Sequence, residues 1–370
     1  MALRVAHIIA GLSIGGAERH LVNLLNDMSC GYRAAIFLGA VRTGPSFHQD
    51  LDPAIEQHFV RIRRRSLPLG ILKLASVLRK NRVNVVHTHM FESNLYGAIA
   101  ARLAGVTVVV TSEHGENPWK GPFHRWLERR VISPLADTRF CVSPQILAIR
   151  RDVDGVPASK LRLAVNGTPL PTIRDRESRS SIPVVGAVGR FIPAKDYAGL
   201  LHAVAELRSR GYKLSLYIVG DGPEARELRE IVVKLGLEKT VQFPGLVADI
   251  EKWYRQFDVY VSSSVREGQP VALLEAMAHG LPVVVTDVGA SSETVGPGEG
   301  GLVVPPGDPA MLADALGRLL DNADLRETLG RGARKRVERH YSVAAVAEMH
   351  ETAYFELLSK RRAEKRKSLD

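Results

Sequence analysis

Glu267 and Glu275 frame the run Gly268-Gln269-Pro270-Val271, and the strand-like Leu281-Pro282-Val283-Val284 follows a few residues later. Pro270 suits the first turn of a helix, where its missing N–H costs nothing. A helix is therefore predicted to begin near Gln269 or Pro270, with Glu267 on the loop before it and Glu275 about one turn inside. The free N–H groups of Gly268 to Leu273 then point at the loop mouth, and a helix N-terminus favours an anion such as phosphate. Ionised carboxylates only accept hydrogen bonds, so the two glutamates suit hydroxyl groups, one set on a sugar and one on a ribose. The combination predicts a sugar nucleotide.

Gly189-Arg190 closes a strand-like run, and Lys195 lies just before the next helical stretch. A cation at a helix start opposes the dipole by about 0.3–1 kcal/mol. Two together call for an anion, and a diphosphate fits; the bland alternative is a solvated pair screened by salt. Gly11 and Gly15-Gly16 follow the first strand and open a helix. Their spacing is not GxGxxG, and the next strand ends without the acidic residue that would hold an adenosine ribose. Close backbone approach to a ligand or a plain strand–helix turn both fit.

His114, in Thr111-Ser112-Glu113-His114-Gly115, falls just past a strand end. It can bond the transferred sugar or phosphate, handle a proton or serve structure alone. Glu113 and Glu116 flank it as candidate bases for an inverting reaction. His87-Thr88-His89 puts two imidazoles on one strand face, with Glu92 nearby. No cysteine or further histidine at ligand spacing completes a tetrahedral set, so strand-end polar contacts are expected and no metal. Asp50-Leu51-Asp52 and Asp152-Val153-Asp154 read as incidental. Gly220-Asp221-Gly222-Pro223 is a turn that can touch a nucleotide, and Gly289-Ala290-Ser291-Ser292-Glu293 can complete the donor pocket.

Strand-like runs at Arg4–Ile9, Ala34–Leu38, Val83–His87, Thr107–Thr111, Val184–Val188, Leu214–Val219, Val241–Phe243, Val259–Ser262 and Pro282–Thr286 must position these residues. Amphipathic stretches alternate with them, at Ala17–Met28, Ile71–Asn81, Asn94–Ala104, Tyr197–Arg210 and Glu224–Leu235. That alternation is the signature of βαβ units and parallel sheets. It pauses at Asn166-Gly167-Thr168-Pro169-Leu170-Pro171 and the charged stretch Arg174–Ser181, then restarts. Two doubly wound α/β domains are predicted, residues 1–172 and 182–340, followed by a basic tail, 360–370. Ligands then bind outside the carboxyl ends of the strands, in a cleft between the domains.

The chain has 370 residues and a formal net charge of +10, all of it in residues 1–170. A one-sided basic surface suggests an anionic partner, either a membrane leaflet or a polyanion, and no nucleic-acid recognition motif is present. Two cysteines without metal-type spacing fit a reducing, cytoplasmic setting. The apolar run Val5 to Gly11 passes into Gly15-Gly16-Ala17-Glu18 and reads as a strand rather than a signal peptide. No stretch nears the ~20 apolar residues of a membrane span.

Taken in order, Gly15-Gly16-Ala17-Glu18, His114-Gly115, Asn166-Gly167, Gly189-Arg190 with Lys195, Gly220-Asp221-Gly222-Pro223, Glu267 with Glu275, and Gly289 with Glu293 resemble the retaining glycosyltransferases of the GT-B fold, family 4 or group 1. The resemblance implies two Rossmann-like domains facing across a cleft, the first for the acceptor and the second for the sugar nucleotide. It also implies a final helix, 341–362, that crosses back to the first domain. By resemblance Arg190 and Lys195 bind the donor diphosphate and Glu275 the ribose. Glu267 meets the donor sugar with Gly268, Gln269, Pro270 and Val271, and His114 lies near the sugar and the leaving phosphate. Gly15 and Gly16 reach the phosphate or the acceptor; Gly189 and Gly222 line the donor loops. Relatives often carry an aromatic residue or Leu where this chain has Gln269, and a basic residue near Gly245-Leu246-Val247.

The implied reaction is metal-independent transfer from a UDP- or GDP-sugar, with no cofactor, to a saccharide or lipid-linked acceptor in cell-surface polysaccharide or glycolipid synthesis. Arg61, Arg63, Arg64 and Arg65 precede a basic, apolar helix, and Trp119, Phe123, Trp126 and Leu127 recur beside Lys120, Arg125, Arg129 and Arg130. These residues either rest on an anionic leaflet, making the enzyme peripheral on the inner face of the cytoplasmic membrane, or pack into a core. Rival readings are a sugar-nucleotide epimerase of the same fold and a silent, membrane-recruiting subunit.

Overall fold

The computed structural model describes residues 2–39, 46–173, 182–247 and 249–367. The stretch Arg174–Ser181 and residues 368–370 of the basic tail lie outside them. The chain forms two compact units, Met1–Gly167 with Val343–Asp370, and Thr168–Ser342. The divisions fall a few residues from the expected 172 and 341. Thr168 N–H donates to Tyr341 O at 2.9 Å, and Arg334 donates to Pro171 O at 2.9 Å, which ties Thr168–Pro171 to the second unit.

The first unit holds β1 (Arg4–Ile9), β2 (Tyr32–Phe37), β3 (Glu56–Phe59), β4 (Val85–His89), β5 (Val108–Glu113), β6 (Thr138–Cys141) and β7 (Leu161–Leu163). They pair in parallel in the order β3-β2-β1-β4-β5-β6-β7. The second unit holds β8 (Val184–Val188), β9 (Ser215–Val219), β10 (Val241–Gly245), β11 (Val259–Ser262), β12 (Val283–Thr286) and β13 (Gly301–Val304), parallel in the order β10-β9-β8-β11-β12-β13. Each sheet reverses its winding once, between β1 and β4 and between β8 and β11. A crevice opens at the carboxyl ends of strands at such a switch point.

Central strands such as Arg4-Val5-Ala6-His7-Ile8-Ile9 are nearly all buried because helices cover both faces, which is why they read as continuous apolar runs. The final helix, Val343–Lys367, starts two residues later than expected and packs within the first unit. Its Val346, Ala347, Tyr354, Leu357 and Leu358 pack in one core with Leu3, Val5, Leu24, Val85, Val108 and Phe140. In the second unit Pro270 caps the helix Val271–Ala278 rather than lying in its first turn. That helix stops before Gly280, whose φ of +70° lies in the left-handed region.

Candidate functional site

The second unit gathers its candidate residues at the β8/β11 switch. The loop after β8 carries Gly189, Arg190 and Lys195; the loop after β11 carries Ser263, Ser264 and Glu267. Lys195 Nζ forms an ion pair with Glu267 Oε1, and Ser264 Oγ donates to the same oxygen at 2.7 Å. Ser263 Oγ donates to Lys195 O at 2.9 Å, and Val265 N–H donates to Ala194 O at 2.9 Å, so the two loops are laced together. Both charged side chains keep some exposure, 19% and 13%, so neither is sealed from a ligand. Arg190 is exposed and makes no ion pair among the described residues.

Gly289 supports this arrangement from the loop after β12. Its φ is +58°, and a Cβ there would collide with the carbonyl oxygens of Glu267 and Gly268; Ala290 N–H also donates to Gly268 O at 2.8 Å. Only glycine satisfies both conditions. Gly222 likewise lets the loop after β9 close on the backbone of Phe191, with Phe191 N–H donating to Asp221 O at 3.0 Å. Glu275 is half-buried and accepts from Tyr254 Oη at 2.8 Å. Gln269, on the loop before the helix Val271–Ala278, is buried, and its Nε2 donates to Thr294 Oγ1 at 3.2 Å. Sequence reasoning missed Ser263 and Ser264. Three consecutive serines, Ser262 to Ser264, at the end of an apolar strand were the available signal.

In the first unit Gly15 and Gly16 begin the helix Gly16–Asp27 after β1, with the Glu18 side chain folded against Gly15. His114 follows β5 directly and is half-buried. Its Nε2 lies 3.1 Å from His89 Nδ1, and His89 Nε2 lies 2.9 Å from His7 Nδ1. Burial pushes the His114 imidazolium down to about 4 against a smaller upward pull from Glu113. Burial, helped by His350, takes His7 down to about 3. His89 is lowered by burial and then by His7 and His114. All three rings are therefore neutral at pH 7.

Glu113 is fully buried and not a free base. Lys120 Nζ donates to it at 3.1 Å and to Glu128 at 2.8 Å, and Arg139 pairs with Glu128 at 2.6 Å. Burial alone would raise the Glu113 pKa, but Lys120, Arg150 and Arg139 together hold it below the ordinary carboxylate value. Arg150 donates to the carbonyls of Gly115 and Glu116 at 3.2 and 2.6 Å and so grips the His114 loop. The Asp-x-Asp triplets are engaged elsewhere: Asp50 pairs with Arg19 at 2.8 Å, and Asp154 with Arg150.

Sequence reasoning paired His87 with His89 but missed His7, which β1 sets beside His87. The three offer ring nitrogens within 4.8 Å of one another, the one cluster among the described residues with metal-ligand character. However, His87 already bonds Tyr354 Oη and Ser112 Oγ, both at 2.6 Å, and His89 bonds His7 and His114.

Trp119, Phe123 and Trp126 are more than half exposed rather than packed in the core. Pro122, Arg125, Trp126, Arg129, Arg130 and Val153 line a groove of about 380 Å³ beside them. No helix among the described residues is long and apolar enough to cross a membrane.

Two family profiles match the chain: "Glycosyltransferase Family 4" over residues 14–170 and "Glycosyl transferases group 1" over residues 182–322. The lipopolysaccharide core biosynthesis glycosyltransferase LpsD of Rhizobium meliloti is 27% identical over 365 residues, 97% of this chain and 98% of its own. The UDP-Gal:alpha-D-GlcNAc-diphosphoundecaprenol alpha-1,3-galactosyltransferase of Escherichia coli is 26% identical over 83% of this chain and 86% of its own. Among solved structures, Anabaena Alr3699/HepE in complex with UDP and glucose superposes with a TM-score of 0.80 at 20% identity, covering 95% of this chain and 99% of its own. The two parallel-sheet units have the GT-B fold.

Proposed function

Because the chain belongs to the group 1, family 4 glycosyltransferases, we propose that it moves a sugar from a nucleotide diphosphate, with retention, onto a saccharide or lipid-linked acceptor in cell-surface polysaccharide or glycolipid synthesis. The observation that carries this reading is the Lys195–Glu267–Ser264 constellation at the β8/β11 strand ends, beside an exposed Arg190 that makes no ion pair among the described residues. UDP is the first base to test, since the E. coli relative uses UDP-Gal and HepE was solved with UDP-glucose; GDP is the second.

As the glycosyl–phosphate bond breaks, negative charge grows on the leaving diphosphate. Arg190, Lys195 and the N–H groups at the start of the helix Val271–Ala278 would meet that charge. Such fixed dipoles and cations stabilise a transition state without reorganising when it forms. Glu267 would hold hydroxyls of the donor sugar and Glu275 those of the ribose. No step needs a divalent ion or cofactor. The test is incubation of UDP- and GDP-sugars with lipid-linked and free saccharides, with product linkage read by NMR. An α-linked product from an α-linked donor supports the reading; a β-linked product, or an epimerised donor without acceptor, overturns it.

The exposed Trp119, Phe123 and Trp126 beside Arg125, Arg129 and Arg130 favour a peripheral site on an anionic leaflet of the cytoplasmic membrane. Cosedimentation with anionic but not zwitterionic vesicles, weakened in the double variant Phe123→Ser, Trp126→Ser, is the expected result. Absence of binding to both at low salt removes the membrane from the account.

A further inference from the structure

Ala272, Glu275 and His279 follow one another at intervals of three and four residues, so they share one face at the end of the helix Val271–Ala278. The short helix Glu251–Gln256 lays Tyr254 against that face. The Tyr254 ring lies 5.0 Å from the His279 ring, centroid to centroid, and its hydroxyl donates to Glu275 Oε2 at 2.8 Å. His279 Nδ1 lies 2.8 Å from Glu275 O and closes the column. All four residues belong to the second unit.

Tyr254 is buried, with the rings of Phe257 and Tyr260 at 6.1 and 6.3 Å. A buried phenol needs a hydrogen-bond partner, and Ala272 O at 3.2 Å would suffice for that. The phenol has a single proton, however, and its shorter bond goes to the carboxylate. Burial, and after it Glu275, raises the Tyr254 phenol well above its ordinary value, so it stays a donor. A hydrogen bond to a charged acceptor is roughly twice as strong as a neutral one. Here it restrains a long, flexible side chain that is only half-buried. Ordering such a chain costs rotamer entropy, and a fixed donor meets that cost before a ligand arrives.

We propose that Tyr254 is a positioning residue that aims Glu275 at the ribose hydroxyls, so that preference for a ribonucleotide over its deoxy counterpart depends on a buried phenol. This rests on the proposed role of Glu275 in donor binding.

The experiment titrates UDP, GDP and their 2′-deoxy and 3′-deoxy counterparts into the full-length wild type, Tyr254→Phe and Glu275→Gln. In the wild type the ribonucleotide that binds should exceed at least one deoxy counterpart about tenfold or more, the scale of a hydrogen bond to a charged group. Tyr254→Phe should weaken the ribonucleotide by most of that factor and leave the deoxy counterpart at its wild-type affinity. Equal weakening of both forms marks a merely structural phenol and overturns the proposal, as does a full preference kept in Tyr254→Phe. A preference lost in Glu275→Gln but kept in Tyr254→Phe sinks the proposal and leaves Glu275 at the ribose. No ribose preference in the wild type, or no nucleotide bound, removes the reading of Glu275 itself and the proposal with it. Should Tyr254→Phe not fold, 3-fluorotyrosine placed at position 254 keeps the hydroxyl. Its ¹⁹F signal should shift more with the ribonucleotide than with the deoxy counterpart, and equal shifts overturn the proposal.

Discussion

Acid should unfold the first unit before the second. His7, His20, His87, His89 and His350 are buried there and His114 is half-buried, and burial is the leading cause that depresses each below the ordinary value of 6.5. The unfolded chain therefore binds more protons below pH 6.5, and stability present above that pH is lost as pH falls toward the folded values. For a group at about 4, such as His114 or His350, the loss between pH 7.5 and 5 is about 2 kcal/mol by that linkage. At pH 5 the loss hardly depends on how far below 4 the folded value lies, so His7, at about 3, reaches the same limit. These three groups give on the order of 6 kcal/mol, comparable with the whole stability of a small domain, and His20, His87 and His89 act in the same direction. In the second unit His279 is shifted down, again chiefly by burial. Hydrogen exchange at pH 7.5 and pH 5, corrected for intrinsic rate, should show β1 and β4 losing protection while β8 and β9 keep theirs. Equal protection in both sheets at pH 5 would refute the reasoning.

Three substitutions probe the remaining contacts. Glu267→Gln should lower kcat by about 10²–10³ with a melting temperature close to that of the parent, checked by steady-state kinetics beside calorimetry. Gly289→Ala should destabilise by about 2 kcal/mol or more, since the new Cβ meets two carbonyl oxygens at a positive φ. Urea unfolding reads that loss, and donor affinity should fall with it. Lys120→Met removes the cation that Glu113 and Glu128 share inside the unit and should cost about 3–5 kcal/mol; a smaller loss means that Arg139 and Arg150 suffice to neutralise the two carboxylates.

The sheets were legible where strands are mainly apolar, as at β1, β8, β11 and β12. Thr138–Cys141 was missed because Arg139 interrupts it. That arginine is buried only because Glu128, distant in the fold's local pattern, neutralises it. Glu56–Phe59 was missed as a polar edge strand and Leu161–Leu163 for its brevity. Val83–His87 was placed two residues early because His89 does not look like a strand interior; it becomes one through bonds to His7 and His114. The glutamate pair, Arg190 and Lys195 could be read from charge type and spacing at a predicted strand–helix junction. The serines that orient Glu267 and the histidines behind His114 could not, since their roles depend on which strands lie side by side.

Calorimetric titration of UDP and GDP into the wild type and into Lys195→Ala and Arg190→Ala, all in EDTA, tests the central claim most directly. The account predicts that one nucleotide binds without divalent metal and that each substitution weakens it about tenfold or more. No binding of either nucleotide, or affinity untouched by both substitutions, would contradict a diphosphate site at the β8/β11 strand ends.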